Sequence, residues 1–436
     1  MFFALPAPDT FLDPSRREGR EVMDVVHPCC AGIDISKKDA KVCVRVAGQS
    51  RRNATETVRT WGATTNQILA LREHLEAERV SLVVMEATSD YWKPFYYLLE
   101  DASFEVMLVN ARHVKNLPGR KTDVSDAAWL AQLGAHGLVR GSFVPPAPIR
   151  ELRDLTRTRT MMTRDRSRDI QRLEKLLEDA GIKLSSVATD ITGVSGRAML
   201  EALIAGQHDP TTLAELAKGR LRPKIPQLAE ALTGRFTAHH AYLARMYLDA
   251  IDQHTRHITG LTERIEQAMK PFQSFADLIC SIPGIGPRTA EVICAETGVD
   301  MSVFPTAAHL ASWAGVCPGS NESAGRVKST RTRPGNPYLK AALGTAAMSI
   351  AAQRGTYLSV KYRRLAVRRG PKKALVAIEH AILVALWTMA HTGAFYDDPG
   401  TDYYIRHYPE RARRNALTQL QRLGYQVTLT PTVQPA

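Results

Sequence analysis

Between residues 28 and 139 the chain sets three strand-like runs in succession and then alternates strand with helix, an order that few folds accommodate. HPCCAGIDISKKDAKVCVRV, residues 28–47, reads as two strands about a tight turn: apolar AGIDI, polar SKKD, then the alternating KVCVRV. TETVRTWGA adds a third short strand, and TNQILALREHLEAE a helix with Ile68, Leu71 and Leu75 on one side. SLVVMEATSDYW is a buried, parallel-type strand ending at Glu86, followed by a helix through Trp92, Tyr96 and Leu99. FEVMLVN is a further strand, and GRKTDVSDAAWLAQLGAHGLV, residues 119–139, closes the unit as a helix. The pattern predicts an α/β unit: a mixed sheet with helices on both faces.

Acidic residues sit at informative points of this pattern. Asp34 is the only acid inside the first apolar run, where a buried carboxylate must be paired or metal-bound. Glu86 ends a strand, and Asp123 and Asp126 stand three apart at the start of the closing helix, on one face if both are helical. Thr122 is the expected N-cap, Gly137 the stop, and Trp129, Leu130 and Leu133 the buried side. Acids in a first turn also suit the helix dipole without any further role. Four hard oxygen donors with no His or Cys among them suit Mg²⁺ or Mn²⁺. Two such ions about 3.5–4 Å apart serve phosphoryl transfer.

The net charge of +13 is concentrated. Between Glu322 and Glu379 there is no acidic residue, yet there are thirteen basic ones: Arg326, Lys328, Arg331, Arg333, Lys340, Arg354, Lys361, Arg363, Arg364, Arg368, Arg369, Lys372 and Lys373. A run this long and one-signed repels itself unless a polyanion neutralises it, which points to phosphate backbones rather than base reading. The six cysteines, at 29, 30, 43, 280, 294 and 317, form no CxxC pair and are expected to be reduced core residues of a cytoplasmic protein. Residues 1–27 lack a signal-peptide pattern and read as a mobile tail, and no apolar run reaches the roughly 18 residues of a membrane span.

Beyond a PPAP linker at 145, residues 149–180 and 236–270 read as two long helices that could pair antiparallel across a Gly/Pro-broken insert, as a coiled coil or a plain helical core. Arginines 157, 159, 164, 166, 168 and 172 suggest a nucleic-acid face on the first, though solvent accounts for them equally. DLICSIPGIGPRTAEVICAETG, residues 277–298, matches the helix-hairpin-helix pattern, in which Gly284 and Gly286 let backbone N–H groups approach a phosphate. WAGVCPGSNESAGRVKSTRTRPGNPYLKAAL, residues 313–343, is a Gly/Ser/Asn-rich loop with Ser320 and Ser323 followed by Arg326, Lys328, Arg331 and Arg333. Such cations would stabilise charge developing as a serine oxygen attacks phosphate, but no local His offers itself as a base. Glu379 and His380 are adjacent and do not share a helix face. Residues 396–436 look peripheral and partly disordered.

GIDISKKDAKV, VVMEATSDYW and KTDVSDAAWLA resemble the three acidic motifs of the DEDD-type insertion-sequence transposases, whose N-terminal domain is RNase H-like and similar to the RuvC resolvase. The stretch from IPGIG to PGNPYL is similar to the C-terminal transposase domain of the same family. The resemblance spans residues 28–395 and implies a metal tetrad of Asp34, Glu86, Asp123 and Asp126 with Mg²⁺. It also implies a serine that becomes linked to DNA. Ser323, in ESAG, matches that position best, although Ala324 intervenes before the glycine and leaves Ser320 as a rival. Three domains follow: a catalytic domain at 28–144, a coiled-coil region used in assembly at 145–270, and a mainly helical transposase domain at 271–395. DNA, a structured bridge RNA and further copies of the chain, as dimer or tetramer, are the implied partners. Two readings compete: a metal-dependent nuclease or Holliday-junction resolvase that forms no serine adduct, and a nucleic-acid-binding protein without catalysis.

Overall fold

Three strands, β1 (Cys29–Ile35), β2 (Asp39–Val46) and β3 (Thr55–Gly62), run antiparallel in succession, with the β1–β2 turn closed by Ser36, whose hydroxyl donates to Asp39 Oδ1 at 2.6 Å. Helix α1 (Thr65–Ala77) leads to β4 (Leu82–Glu86), and α2 (Trp92–Leu99) leads to β5 (Glu105–Val109). β4 pairs parallel with β1 and β5 pairs parallel with β4, so the sheet order is β3-β2-β1-β4-β5. Described in this computed structural model are residues 25–48, 54–87, 89–111, 114, 125–319 and 321–430. They fall into two compact units, Met1–Val144 and Pro145–Ala436. The strands and helices expected in the first unit are present, within a residue or two at their ends except for the start of the closing helix.

Side-chain alternation divides the sheet into two faces. Ala31, Ile33, Val83 and Met85 pack with α1 and α2 through Ile68, Leu71, Leu75, Phe95 and Leu99. Cys30, Leu82 and Val84 face the other way, onto α3 (Asp126–Ala135), which is buried nearly all round. α3 lies unusually close to the sheet because Gly32 has no side chain: a Cβ there would stand 2.1 Å from the Ala127 carbonyl oxygen. The helix opens at Ser125, whose hydroxyl accepts from the Ala128 N–H at 3.2 Å, three residues later than the Thr122 cap expected from sequence. Thr122 and Asp123 lie outside the described residues. At the other end Gly137, at φ +63, completes a Schellman cap in which Leu138 N–H donates to Leu133 O and Gly137 N–H to Gly134 O, both at 3.0 Å. Gly32→Ala should therefore push α3 off the sheet and cost roughly 1–3 kcal/mol, as overpacking generally does. Urea denaturation, with the midpoint falling at unchanged slope, checks it.

The second unit begins with α4 (Ala147–Asp179), returned by α9 (Ala238–Met269). Asp179 meets His240 at 3.0 Å and Asp169 meets His254 at 3.3 Å, so positions move in opposite senses along the two helices and the pair is antiparallel, as expected. The insert is four short helices, α5 (Leu184–Val187), α6 (Val194–Ile204), α7 (Pro210–Glu215) and α8 (Ile225–Ala231), sharing one apolar core with the ends of α4 and α9.

Helices α10 (Gln273–Cys280), α11 (Pro287–Thr297) and α12 (Ala307–Trp313) precede a short hairpin of β6 (Asn321–Ser323) and β7 (Arg326–Ser329), where an irregular loop was expected. Then come α13 (Pro337–Ala352), α14 (Tyr357–Arg369) and α15 (Pro371–Thr392). Against expectation, α15 is long and apolar enough to cross a bilayer by length and composition. Its Ala374, Ile378, Ile382, Leu383 and Leu386 are buried inside this unit, alongside α13 and α14. The C-terminal segment carries two more helices, α16 (Tyr403–His407) and α17 (Pro409–Arg422), with Tyr403 and Tyr404 packed on Tyr357 at ring separations of 4.8 and 5.7 Å.

Candidate functional site

Asp34 and Glu86 follow directly on Ile33 and Met85, which are register partners in the parallel β1–β4 pair. The two carboxylates thus end neighbouring strands, about 4.8 Å apart in backbone, and alternation puts both on the face covered by α3. On that face, Gly32 stands two residues before Asp34 and touches the first turn of α3, whose first residue is Asp126. Three of the four acids singled out from sequence are therefore carried to one end of one sheet face. Lys41 on β2 is the cross-strand partner of Asp34, a cation beside the carboxylate. Among the described residues no cluster of three or more His, Cys, Asp or Glu is close enough to hold a metal. Asp123 lies outside them. The oxygen-only donor set fits a hard divalent cation such as Mg²⁺ or Mn²⁺. Cysteine offers no competing thiolate site: all six are free, and burial pushes the Cys30 and Cys294 thiols up to about 12.

Ser323 ends β6 and pairs with Arg326 across a two-residue turn. The turn residues Ala324 and Gly325 both have positive φ, +51 and +71, the pattern of a type I′ hairpin. The alanine that separates Ser323 from its glycine is therefore one of the two residues that build the turn. Ala324 in this region carries strain of about 1 kcal/mol, and the turn presents Ser323 exposed at the hairpin tip. At the base the two legs meet backbone to backbone, since a Cβ on Gly335 would lie 2.0 Å from the Ala314 carbonyl oxygen. Ser320 lies outside the described residues.

The cations foreseen as nucleic-acid contacts divide by environment. Arg326, Lys328 and Arg331 are exposed on and after β7, and Arg333 donates to Ser312 Oγ at 2.7 Å. On α14, Arg363 donates to the Gln353 carbonyl at 2.5 Å, Arg364 stacks 4.0 Å over Tyr404, and Lys361 is half-buried 5.7 Å over Tyr357. Arg368, Arg369, Lys372 and Lys373 are exposed about the α14–α15 junction. Gly284 and Gly286 occupy a tight turn between α10 and α11. Gly284, at φ +86, packs against Ile350, whereas Gly286 caps α11 with open space where a Cβ would be. The arginines of α4 belong in part to the interior. Arg157 grips Glu296 with two hydrogen bonds of 2.7 Å, and Arg159 reaches Glu291 at 2.5 Å, while Arg168 and Arg172 pair with Asp165 and Asp169 on their own helix.

With this geometry in place, comparison with known sequences is decisive. Residues 31–182, which carry Asp34, Glu86, Asp123 and Asp126, match the DEDD transposase family of the IS110 type, and residues 276–363, which carry Ser323, match the family described as Transposase IS116/IS110/IS902. The chain belongs to the DEDD-type insertion-sequence transposases. Among similar proteins, the insertion element IS900 uncharacterized 42 kDa protein of Mycobacterium paratuberculosis is 25% identical over 85% of this transposase and 98% of its own length. The insertion element IS110 uncharacterized 43.6 kDa protein of Streptomyces coelicolor is 27% identical over 45% of this chain, which spans about half (52%) of that relative. The pilin gene-inverting protein of Moraxella bovis is 25% identical over 83% of this chain and 94% of its own length.

Two residues of the transposase escaped the sequence reading. Glu296, fully buried on α11, binds Arg157, lies 3.4 Å from Arg153 Nε, and accepts from Asn336 Nδ2 at 2.5 Å. Asn336 is also the N-cap of α13, so one carboxylate ties α4, α11 and the exit of the serine-bearing loop together. Its signal was only an acid at the end of the apolar run VICA, residues 292–295. The other is His380, left out of the reading above, which lines a groove with Ser329, Arg331 and Lys361. The segment that follows the serine hairpin, from Ser329, six residues beyond Ser323 in the chain, thus has a histidine on the groove along its flank. Burial, with Lys361 adding to it, pushes this imidazole down from its ordinary pKa, towards the neutral form.

Proposed function

We propose that this transposase cleaves and exchanges DNA strands of its insertion sequence, using the acids of an RNase H-like first unit with Mg²⁺ together with Ser323 of the second unit. The observation that supports this most is the placement of Asp34 and Glu86 at the ends of neighbouring strands, on the sheet face covered by the helix that Asp126 opens. A mixed sheet of three antiparallel strands extended by two parallel ones, in the order β3-β2-β1-β4-β5, supports the RNase H-like reading. A bound divalent ion supplies Lewis-acid activation of a phosphodiester and charge neutralisation at the leaving oxygen. Asp34, Glu86, Asp123 and Asp126 are the residues that would hold it. Ser323 Oγ loses its proton and forms a bond to phosphorus, the bridging P–O bond to the neighbouring sugar breaks, and that sugar oxygen takes up a proton. Arg326 and Lys328, on the same hairpin, lie along the strand that follows Ser323 and counter the added charge.

The α10–α11 turn at Gly284 and Gly286 acts as a helix-hairpin-helix contact to phosphate, and the exposed cations of 326–373 hold further backbone. Sequence choice is delegated to a structured guide RNA encoded by the element, and the α4–α9 pair assembles copies of the chain as a coiled coil. The acids and the serine lie on different units, so the reaction requires those units, from one chain or two, to act on the same strand. The protein works in the cytoplasm, where its DNA is. The test is purified protein with element-end DNA, Mg²⁺ and RNA transcribed from the element's flank. Joined products are expected, lost in EDTA and lost without the RNA; joined products that persist in EDTA would contradict the metal-dependent reading.

A further inference from the structure

The segment 329–332 that leaves the serine hairpin separates two grooves of the second unit, one of about 680 Å³ and one of about 860 Å³. The larger falls within the ~300–1,000 Å³ of ordinary ligand sites, and its composition is unlike that of a surface meant only for duplex backbones. One side carries Arg331, Lys361, Arg369, Lys372 and Lys373. The rest of the lining includes Pro318, Val376 and Ala377, the nearly buried Val316, and His380.

Local physics marks this as an anion site. Arg368 and Arg369 end α14, where cations complement the helix dipole, but Lys372 and Lys373 stand in the first turn of α15, where no acid is present and the dipole opposes them. Nothing in the helix favours two lysines there; an anion in the groove does. Phosphate alone, however, does not account for the apolar part of the lining. A duplex turns sugars and phosphates outward and keeps its base faces stacked inside, whereas an unpaired nucleotide offers an exposed base face to an apolar surface. Burial, with Lys361 adding to it, pushes the His380 pKa down and favours the neutral ring, which carries one donor and one acceptor for a base edge.

We propose that this groove seats an unpaired nucleotide of single-stranded nucleic acid, with its phosphate held by Arg331, Lys372 and Lys373 and its base laid on Pro318, Val376 and Ala377. The proposal rests on the nucleic-acid reading given above and adds the strand state of the ligand. It places a site for a melted strand beside the segment that carries Ser323 into the second unit's surface.

The test measures full-length protein in EDTA against labelled dT₁₂, rU₁₂, a twelve-residue abasic strand and a hairpin duplex at one salt concentration. The base-bearing strand, whether dT₁₂ or rU₁₂, should bind at least about tenfold tighter than the abasic strand, within what one base contact contributes. Which of the two binds tighter identifies DNA or RNA as the source. Val376→Gln and His380→Gln should each shrink that ratio while leaving abasic-strand affinity unchanged, and Lys372→Ala with Lys373→Ala should weaken every ligand. A ratio near one for the native protein, duplex binding as tight as single-strand binding, or a ratio untouched by both the Val376 and His380 variants overturns the proposal. The absence of Mg²⁺ separates it from the strand-exchange reading: if the ratio fails and Mg²⁺-dependent joined products persist, the groove assignment alone falls.

Discussion

Asp34→Asn should abolish Mg²⁺-dependent strand cleavage, by about 10³-fold or more, while the protein still folds and still binds DNA. The size follows from what the proposed metal site would lose: a charged oxygen donor near the end of β1, beside Glu86, where charge on the ligands decides cation affinity. Asparagine keeps the shape and a carbonyl oxygen, so the packing of Ile33 and Ile35 about it is preserved. Cleavage should return in part at higher Mn²⁺, which tolerates neutral nitrogen and oxygen donors better than Mg²⁺. Gel analysis of labelled element ends, with duplex binding measured in parallel, separates the two effects. Full cleavage by the variant would remove Asp34 from the site.

Glu296→Ala should be the most destabilising single change in the second unit, by roughly 3–5 kcal/mol, the range for removing one member of a buried ion pair. It leaves the Arg157 guanidinium without its buried carboxylate and frees Asn336, which caps α13. Glu296→Gln retains an acceptor for one arginine N–H and should cost less. Thermal unfolding should show the two midpoints in that order below the native one. Because Asn336 follows directly on the Arg326–Gly335 return of the serine loop, the alanine variant should also lose strand transfer at temperatures where it remains folded. An unchanged midpoint would mean that Glu296 does not organise this junction.

Strand and helix order in the first unit was readable because periods of two and 3.6 alternate cleanly there, and glycines mark the ends. The beginning of α3 was not readable. Thr122 and Ser125 are both good caps by residue type, and what seats the helix on the sheet is a contact with Gly32, nearly a hundred residues away in sequence, which admits the helix backbone onto β1. The interior role of Arg157 and Arg159 was equally hidden, because periodicity reports which side of a helix is apolar and not which of its cations finds a carboxylate on another element. The hairpin at Ser323 carried a legible signal, a strand alternation broken by Ala-Gly, masked by the polarity of its flanks. His380 was discounted for lack of a partner on its own helix, whereas its groove neighbours come from α14 and the 329–332 segment.

Covalent attachment of Ser323 to DNA is what separates a serine transposase from a metal-dependent nuclease. Native protein, Ser323→Ala, Ser320→Ala and Asp126→Ala are incubated with end-labelled element DNA, Mg²⁺ and flank RNA, then run on a denaturing gel. A protein-linked band in the native and Ser320→Ala samples, absent from Ser323→Ala and Asp126→Ala, is the predicted result. Free cleaved ends with no linked band, undiminished in Ser323→Ala, would contradict it and make this chain a metal-dependent nuclease or junction resolvase.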